Sequence, residues 1–157
     1  MSVPSRPSST RGRLYLDVCA LSRPFDDQHP LRIRLETDAV NLILAHVKQG
    51  RSVLLVSPAH RREIAAIPDG YERTALQTIL DQYGVPTEVD GVATRQRAED
   101  LVAVGFGVAD AAHVAFAEQS GASFISCDDK LLKKCGRFGV GIWCGNPVAY
   151  CEKEGLR

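Results

Sequence analysis

Gly107-Val108-Ala109-Asp110-Ala111-Ala112-His113-Val114-Ala115-Phe116-Ala117-Glu118, followed by Ser123-Phe124-Ile125-Ser126-Cys127-Asp128-Asp129-Lys130, reads as helix, tight turn, short strand and the start of another helix. Asp110 falls in the first turn of the apolar helix. Asp128 follows directly on a strand of small and apolar residues. In an open α/β sheet the carboxyl ends of the strands border a crevice, and ligands bind there. If two further acids reach the same crevice, the chain holds a set of oxygen ligands suited to a hard cation.

Working outward, Arg13-Leu14-Tyr15-Leu16-Asp17-Val18-Cys19 reads as an apolar strand that stops at an acid. Arg23 to Pro30 is a loop with two prolines. A long helix begins at Leu31, with Leu35, Ala39, Leu42, Ile43 and His46 on one face, and Gly50 ends it. Ser52-Val53-Leu54-Leu55-Val56 is a continuous apolar run, as expected of a strand buried on both faces. Ser57-Pro58 opens the next helix, with Ser as N-cap and Pro at the first position. His60, Glu63, Ile64 and Ile67 share its inner stripe. Further helices are expected over 74–83, 94–104 and 130–137, an edge strand over 87–89 and a last strand over 140–143. Asn146-Pro147 starts a terminal helix. Strands alternating with helices imply a mostly parallel sheet covered on both faces.

The 157 residues fit one domain, expected over 13–157, after a Ser- and Pro-rich disordered leader over 1–12. Lys plus Arg and Asp plus Glu both number 19. Zero net charge leaves no global pull towards nucleic acid or anionic lipid, so such a partner needs a local patch. The five cysteines include no Cys-x-x-Cys pair and are odd in number, which reads as reduced thiols in a cytoplasmic protein. Cys135, Cys144 and Cys151 are spaced too widely for a paired zinc knuckle. No apolar run approaches the roughly 20 residues of a membrane span.

Four acids carry the chemistry. Asp17 ends an apolar strand and is expected in the crevice. Glu63 lies on an apolar stripe, where an unpaired carboxylate is costly and calls for a cation or a basic partner. Asp110 would also suit a helix dipole, and Asp128 a helix N-cap. Asp129 is the neighbour able to exchange roles with Asp128. Four converging carboxylates repel one another, and a divalent ion relieves that repulsion at neutral pH. All-oxygen ligation suits Mg2+ or Mn2+ rather than zinc.

With these residues in place, the chain resembles the PIN-domain ribonucleases, of the kind found as the toxin half of bacterial toxin–antitoxin pairs (VapC-type). The likeness spans Arg13 to about Glu152. The family's four acids match Asp17 in Leu16-Asp17, Glu63 in Arg62-Glu63-Ile64, Asp110 in Ala109-Asp110-Ala111 and Asp128 in Ser126-Cys127-Asp128. Ser126 stands where the family often has a supporting Thr or Ser. Val18 and Cys19 depart from a polar residue common near there, which bears on substrate contacts. The resemblance implies a three-layer α/β/α fold with about five strands, frequent homodimers, an antitoxin tail covering the site, and Mg2+- or Mn2+-dependent cleavage of single-stranded RNA leaving a 5′-phosphate and a 3′-hydroxyl. Asp17, Asp110 and Asp128 would bind metal, with Glu63 a ligand or a group that positions water.

Lys130, Lys133 and Lys134 fall on one helical side next to Asp128, where RNA phosphates would meet them together with Ser126. Arg23, Arg61 and Arg62 are weaker candidates. Glu36 is a candidate acid behind the metal ligands. His60 and His113 lie near the site acids, with His113 expected in the core. The low aromatic content speaks against a base-stacking platform. Two other readings remain open. One is a PIN-like RNA-binding or scaffold protein without catalysis. The other is a phosphatase with an aspartyl nucleophile, but it needs a second acid two residues after Asp17, where Cys19 stands.

Overall fold

The computed structural model describes residues 12–157. The leader expected over 1–12 lies outside the described residues except for Gly12, which opens the first strand. The chain runs β1 (Gly12–Leu16), α1 (Val18–Leu21), a 3-10 turn (Arg23–Phe25), α2 (Leu31–Lys48), β2 (Ser52–Val56), α3 (Pro58–Ala65) and α4 (Gly70–Tyr83). It continues through β3 (Gly84–Pro86), α5 (Gly91–Ala103), α6 (Val108–Gln119), β4 (Ser123–Ile125), α7 (Asp129–Arg137), β5 (Cys144–Gly145) and α8 (Pro147–Glu154). Every strand pair is parallel, in the order β3-β2-β1-β4-β5.

Alternation along the strands builds two cores. Leu14, Leu16, Leu54 and Val56 point to one face, where Val40, Ile43, Leu44, Leu76, Leu80 and Tyr150 cover them. Tyr15, Leu55 and Phe124 point to the other, beneath Leu101, Ala111, Val114 and Leu131. Side chains of period two on both faces require helices on both faces, and the result is the expected three-layer α/β/α fold. Among the described residues no helix is long and apolar enough to cross a membrane.

Four local expectations shift. The buried stripe of α2 is Glu36, Ala39, Val40, Ile43, Leu44 and Val47, while Leu35 is half exposed. It is rotated from the apolar reading because Glu36 enters the interior with arginine partners. The third strand comes at 84–86 rather than 87–89. Gly84 makes this possible, because a Cβ there would strike Val56 Cγ2 and the Leu80 carbonyl. Gly84→Ala should therefore destabilise the fold by about 1–3 kcal/mol, the usual range for overpacking, measurable as a lower urea midpoint at unchanged slope. The last strand is Cys144–Gly145 rather than 140–143, pinned by Phe124 N–H to Trp143 O (2.8 Å) and Ser126 N–H to Gly145 O (3.1 Å). Finally, α4 and α5 begin earlier than expected, capped by Asp69 on Glu72 N–H and by Asp90 on Val92 and Ala93 N–H.

The strand order reverses at β1. The chain first builds outward through β2 and β3, then returns to lay β4 and β5 on the other side of β1. Leu16 pairs with Ile125, so the segments carrying Asp17 and Asp128 leave the sheet side by side, at the point where open α/β sheets form their crevice.

Candidate active site

Asp17 follows β1 and caps α1. Its Oδ1 accepts from Ala20 N–H (3.0 Å) and from the Cys19 thiol (3.1 Å). It is only 4% exposed. Burial pushes its carboxyl above the ordinary range, while hydrogen bonds from Ser126, Ala20 and Cys19 pull the other way.

Asp128 caps α7, its Oδ1 accepting from Lys130 N–H (3.0 Å) and Leu131 N–H (3.2 Å). Its own N–H donates to Ser126 Oγ (3.0 Å). Ser126 is fully buried between the two acids and touches both. It lies beneath both acids.

Asp110 sits in the first turn of α6. Burial raises its pKa first, and the carboxylates of Asp128 and Glu63 raise it further, against the pull of His113 and Lys134. Those effects place Glu63, Asp110 and Asp128 within electrostatic reach of one another. Glu63, on α3, is 38% exposed and accepts from His113 Nε2 (3.2 Å). Asp17 likewise feels His113. The four acids thus line one end of the sheet. Among the described residues no three of Asp, Glu, His or Cys close into a metal-holding group.

The basic candidates divide. Lys130 and Lys133 are exposed beside Asp128. Lys134 donates to Gly105 O (2.9 Å), which brings it near Asp110. Arg61 pairs with Asp81 (2.7 Å). Arg62 lines a cavity of about 540 Å³ between α3 and α6, which Glu63, His113 and Phe116 also border. Arg23 is committed elsewhere. Its Nε and Nη2 meet Glu36 Oε1 (3.0 and 2.9 Å), and its Nη1 meets Asp26 (2.9 Å). Arg32 reaches the other Glu36 oxygen (3.4 Å) and clasps Asp129 with both nitrogens (2.7 and 2.8 Å). Glu36 is thus the centre of an arginine clamp rather than an acid behind the metal ligands. Asp129 belongs to the same clamp, and Asp128 caps the helix.

The sequence reading expected His113 in the core, and there it is, 1% exposed. What it missed is that His113 bonds Glu63 at one nitrogen and the Tyr15 hydroxyl at the other (2.6 Å). The spacing held a signal. His113 lies three residues after Asp110 and His60 three before Glu63, which puts each histidine on the helix side of a site acid. Cys135 and Cys144 hydrogen-bond each other, but Cys151 donates to Ala39 O (3.6 Å).

Two solved structures share this architecture. One is FitAcB from Neisseria gonorrhoeae, with a TM-score of 0.53 and 19% identity over 85% of this chain and 97% of that one. The fold is PIN-like. The other is FitAB bound to an IR36 DNA fragment, with a TM-score of 0.53 and 18% identity over 86% of this chain and 95% of that one. No family model and no curated protein matches the sequence. The PIN-like likeness therefore rests on shape, and the chemistry has to be argued from the residues.

Proposed function

We propose that this chain is a Mg2+- or Mn2+-dependent endoribonuclease acting on single-stranded RNA in the cytoplasm. The observation that carries the reading is the pressure of like charges at one end of the sheet. Burial raises Asp110, Asp128 and Glu63 raise it further, and Asp17 lies buried with no cationic hydrogen-bond partner among the described residues. Structural carboxylates are normally satisfied by arginine or lysine, as Glu36 is here. The donor set is all oxygen and fits a hard cation. Magnesium commonly takes only one or two carboxylates and keeps several waters, so a closed cage of three side chains is not required. Asp17, Asp110 and Asp128 would hold such an ion, with Glu63 beside it. A bound ion of this kind supplies Lewis acidity and charge compensation for phosphodiester hydrolysis.

Around it the chain's own groups have separate tasks. Ser126 and the α7 N-terminus fix the Asp17 and Asp128 carboxylates. Lys130 and Lys133 meet backbone phosphates, with Lys134 behind them. Water attacks phosphorus, the bond to O3′ breaks, and the products carry a 5′-phosphate and a 3′-hydroxyl. The same reading makes the chain a homodimer and the toxin of a pair, its acids covered by an antitoxin. The PIN-like neighbours FitAcB and FitAB support that context by fold.

End-labelled single-stranded RNA tests the activity. Cleavage is expected with Mn2+, lost in EDTA and restored by added Mn2+. Cleavage that continues in EDTA discards the reading. A second reading, a non-catalytic PIN-like RNA-binding or scaffold protein, draws on the lack of a three-residue metal-holding group among the described residues. Its mark is RNA retention in EDTA with no product under any divalent ion.

A further inference from the structure

Beneath the acids lies a buried polar network that the hydrolytic scheme leaves without a task. Tyr15, Ser57, His60 and His113 are each at most 1% exposed, in a layer otherwise filled by Leu55, Phe124, Ala111 and Val114. Apolar side chains would fill this space at less desolvation cost.

With His113 neutral, the hydrogen atoms in this network have one consistent arrangement. A carboxylate only accepts, so the contact of His113 Nε2 with Glu63 Oε1 (3.2 Å) puts the proton on Nε2. His113 Nδ1 is then an acceptor, and the Tyr15 hydroxyl donates to it at 2.6 Å. The Tyr15 oxygen in turn accepts from the Ser57 hydroxyl at 2.6 Å. His60 closes the other end. Its Nε2 donates to Leu16 O (2.6 Å) and its Nδ1 accepts Ser57 N–H (3.0 Å). Burial and the neighbouring His113 hold His60 down at about 3, so it stays neutral. Burial likewise keeps the Tyr15 phenol protonated. The rings pack on one another, with centroids 4.4 Å apart for Tyr15 and His60 and 5.0 Å for His60 and His113. His113 is thus held at both ring nitrogens and packed against His60.

The network starts on β1, beside Asp17, and ends on Glu63, whose single side-chain hydrogen bond among the described residues is the one to His113. We infer that His113, locked by Tyr15 as its Nε2–H tautomer, is a positioning residue that holds Glu63 by one carboxylate oxygen, so that Glu63 serves hydrolysis as a proton acceptor for the attacking water rather than as a chelating ligand. This rests on the nuclease reading. A carboxylate with one oxygen engaged keeps the other to accept a proton, and its distance from Asp17 is set through the Leu16 carbonyl, His60 and Tyr15. The proton removed from water goes to that free oxygen, and the O3′ leaving group takes a proton from solvent.

Two measurements test this. Nitrogen-15 spectra of the metal-free protein should show His113 with a protonated Nε2 and a bare Nδ1, and Tyr15→Phe, which leaves Nδ1 without its donor, should weaken that preference. In Mn2+-dependent RNA cleavage, His113→Met should lower kcat by about 10–100-fold, the usual loss when a partner behind a metal site is removed, with little change in KM. His113→Gln, which keeps an N–H donor, should recover most of that loss. In a Glu63→Gln background, His113→Met should cost nothing further, because residues acting as a unit are not additive. The Tyr15→Phe/His113→Met double variant removes both partners together and guards against a fold defect from one orphaned hydroxyl. A wild-type His113 carrying a proton on Nδ1 overturns the inference, as does an equal loss from His113→Met with and without Glu63. A wild-type protein that cleaves no RNA overturns the nuclease reading and Glu63's role in it, while the spectra still decide whether Tyr15 and His113 hold Glu63.

Discussion

Asp17→Asn should lower metal-dependent RNA cleavage by more than about a hundredfold, since losing even a supporting partner of a metal site costs 10–100-fold. The same substitution should raise the melting temperature of the metal-free protein at neutral pH. The reason is the sign of the Asp17 shift. Burial raises its folded-state pKa above the ordinary 3.8. Its contribution to stability is then fully present below that ordinary value and is lost as pH rises through the folded-state pKa. As pH rises above that ordinary value, the Asp17 carboxyl becomes a liability in a site that excludes water. Asparagine keeps the oxygen that caps α1 and removes the charge. Thermal melts at pH 7 should therefore favour Asp17→Asn by a few degrees, with the advantage shrinking in acid. Mn2+ should reverse the order, because an ion at a hundred times its Kd stabilises a folded protein by about 2.7 kcal/mol and the variant loses its share. Equal melting of the two proteins at every pH and metal concentration would separate Asp17 from both roles.

The second large effect is in the clamp on α2. Arg23→Ala should destabilise the fold by about 3 kcal/mol, the lower end of the range for stranding one member of a buried pair. The lower end applies because Arg32 still reaches Glu36, though from a half-exposed position at 3.4 Å. For a domain of this size that is a fall in melting temperature of about 6–12 °C. Glu36 is 2% exposed, so water cannot replace the lost guanidinium. Replacing both partners with apolar side chains, Arg23→Met with Glu36→Leu, should restore most of the loss, since exchanging a buried ion pair for packing is often neutral. Differential scanning calorimetry checks both. A double variant as unstable as Arg23→Ala would mean that Arg23 acts through Asp26 or the turn rather than through Glu36.

The layers of the fold were readable because parallel strands leave an unmistakable trace. Val53 to Val56 is apolar throughout, and Leu16 and Ile125 each end an apolar run where the chain leaves the sheet. Asp17 and Asp128 were readable for the same reason, as the acids that follow those runs. Glu36 was not, because the stripe was sought among apolar residues and its partner Arg23 lies thirteen positions away on another element. The late strand at Cys144–Gly145 escaped because Val140 to Trp143 has the better β composition, while pairing with Phe124 and Ser126 decides the register. The Tyr15–His113–Glu63 contact joins three elements from distant parts of the chain. Only the spacing of His113 from Asp110 pointed to it.

One hydroxyl links β1 to α7. Ser126 acts on the Asp17 carboxylate and takes the Asp128 amide proton, while both acids have fixed places at helix starts. A shift of either acid is therefore passed to its companion through a single rotor buried under them. The pair behaves as one mechanical unit, so anything that draws on one carboxylate has to move both together or neither.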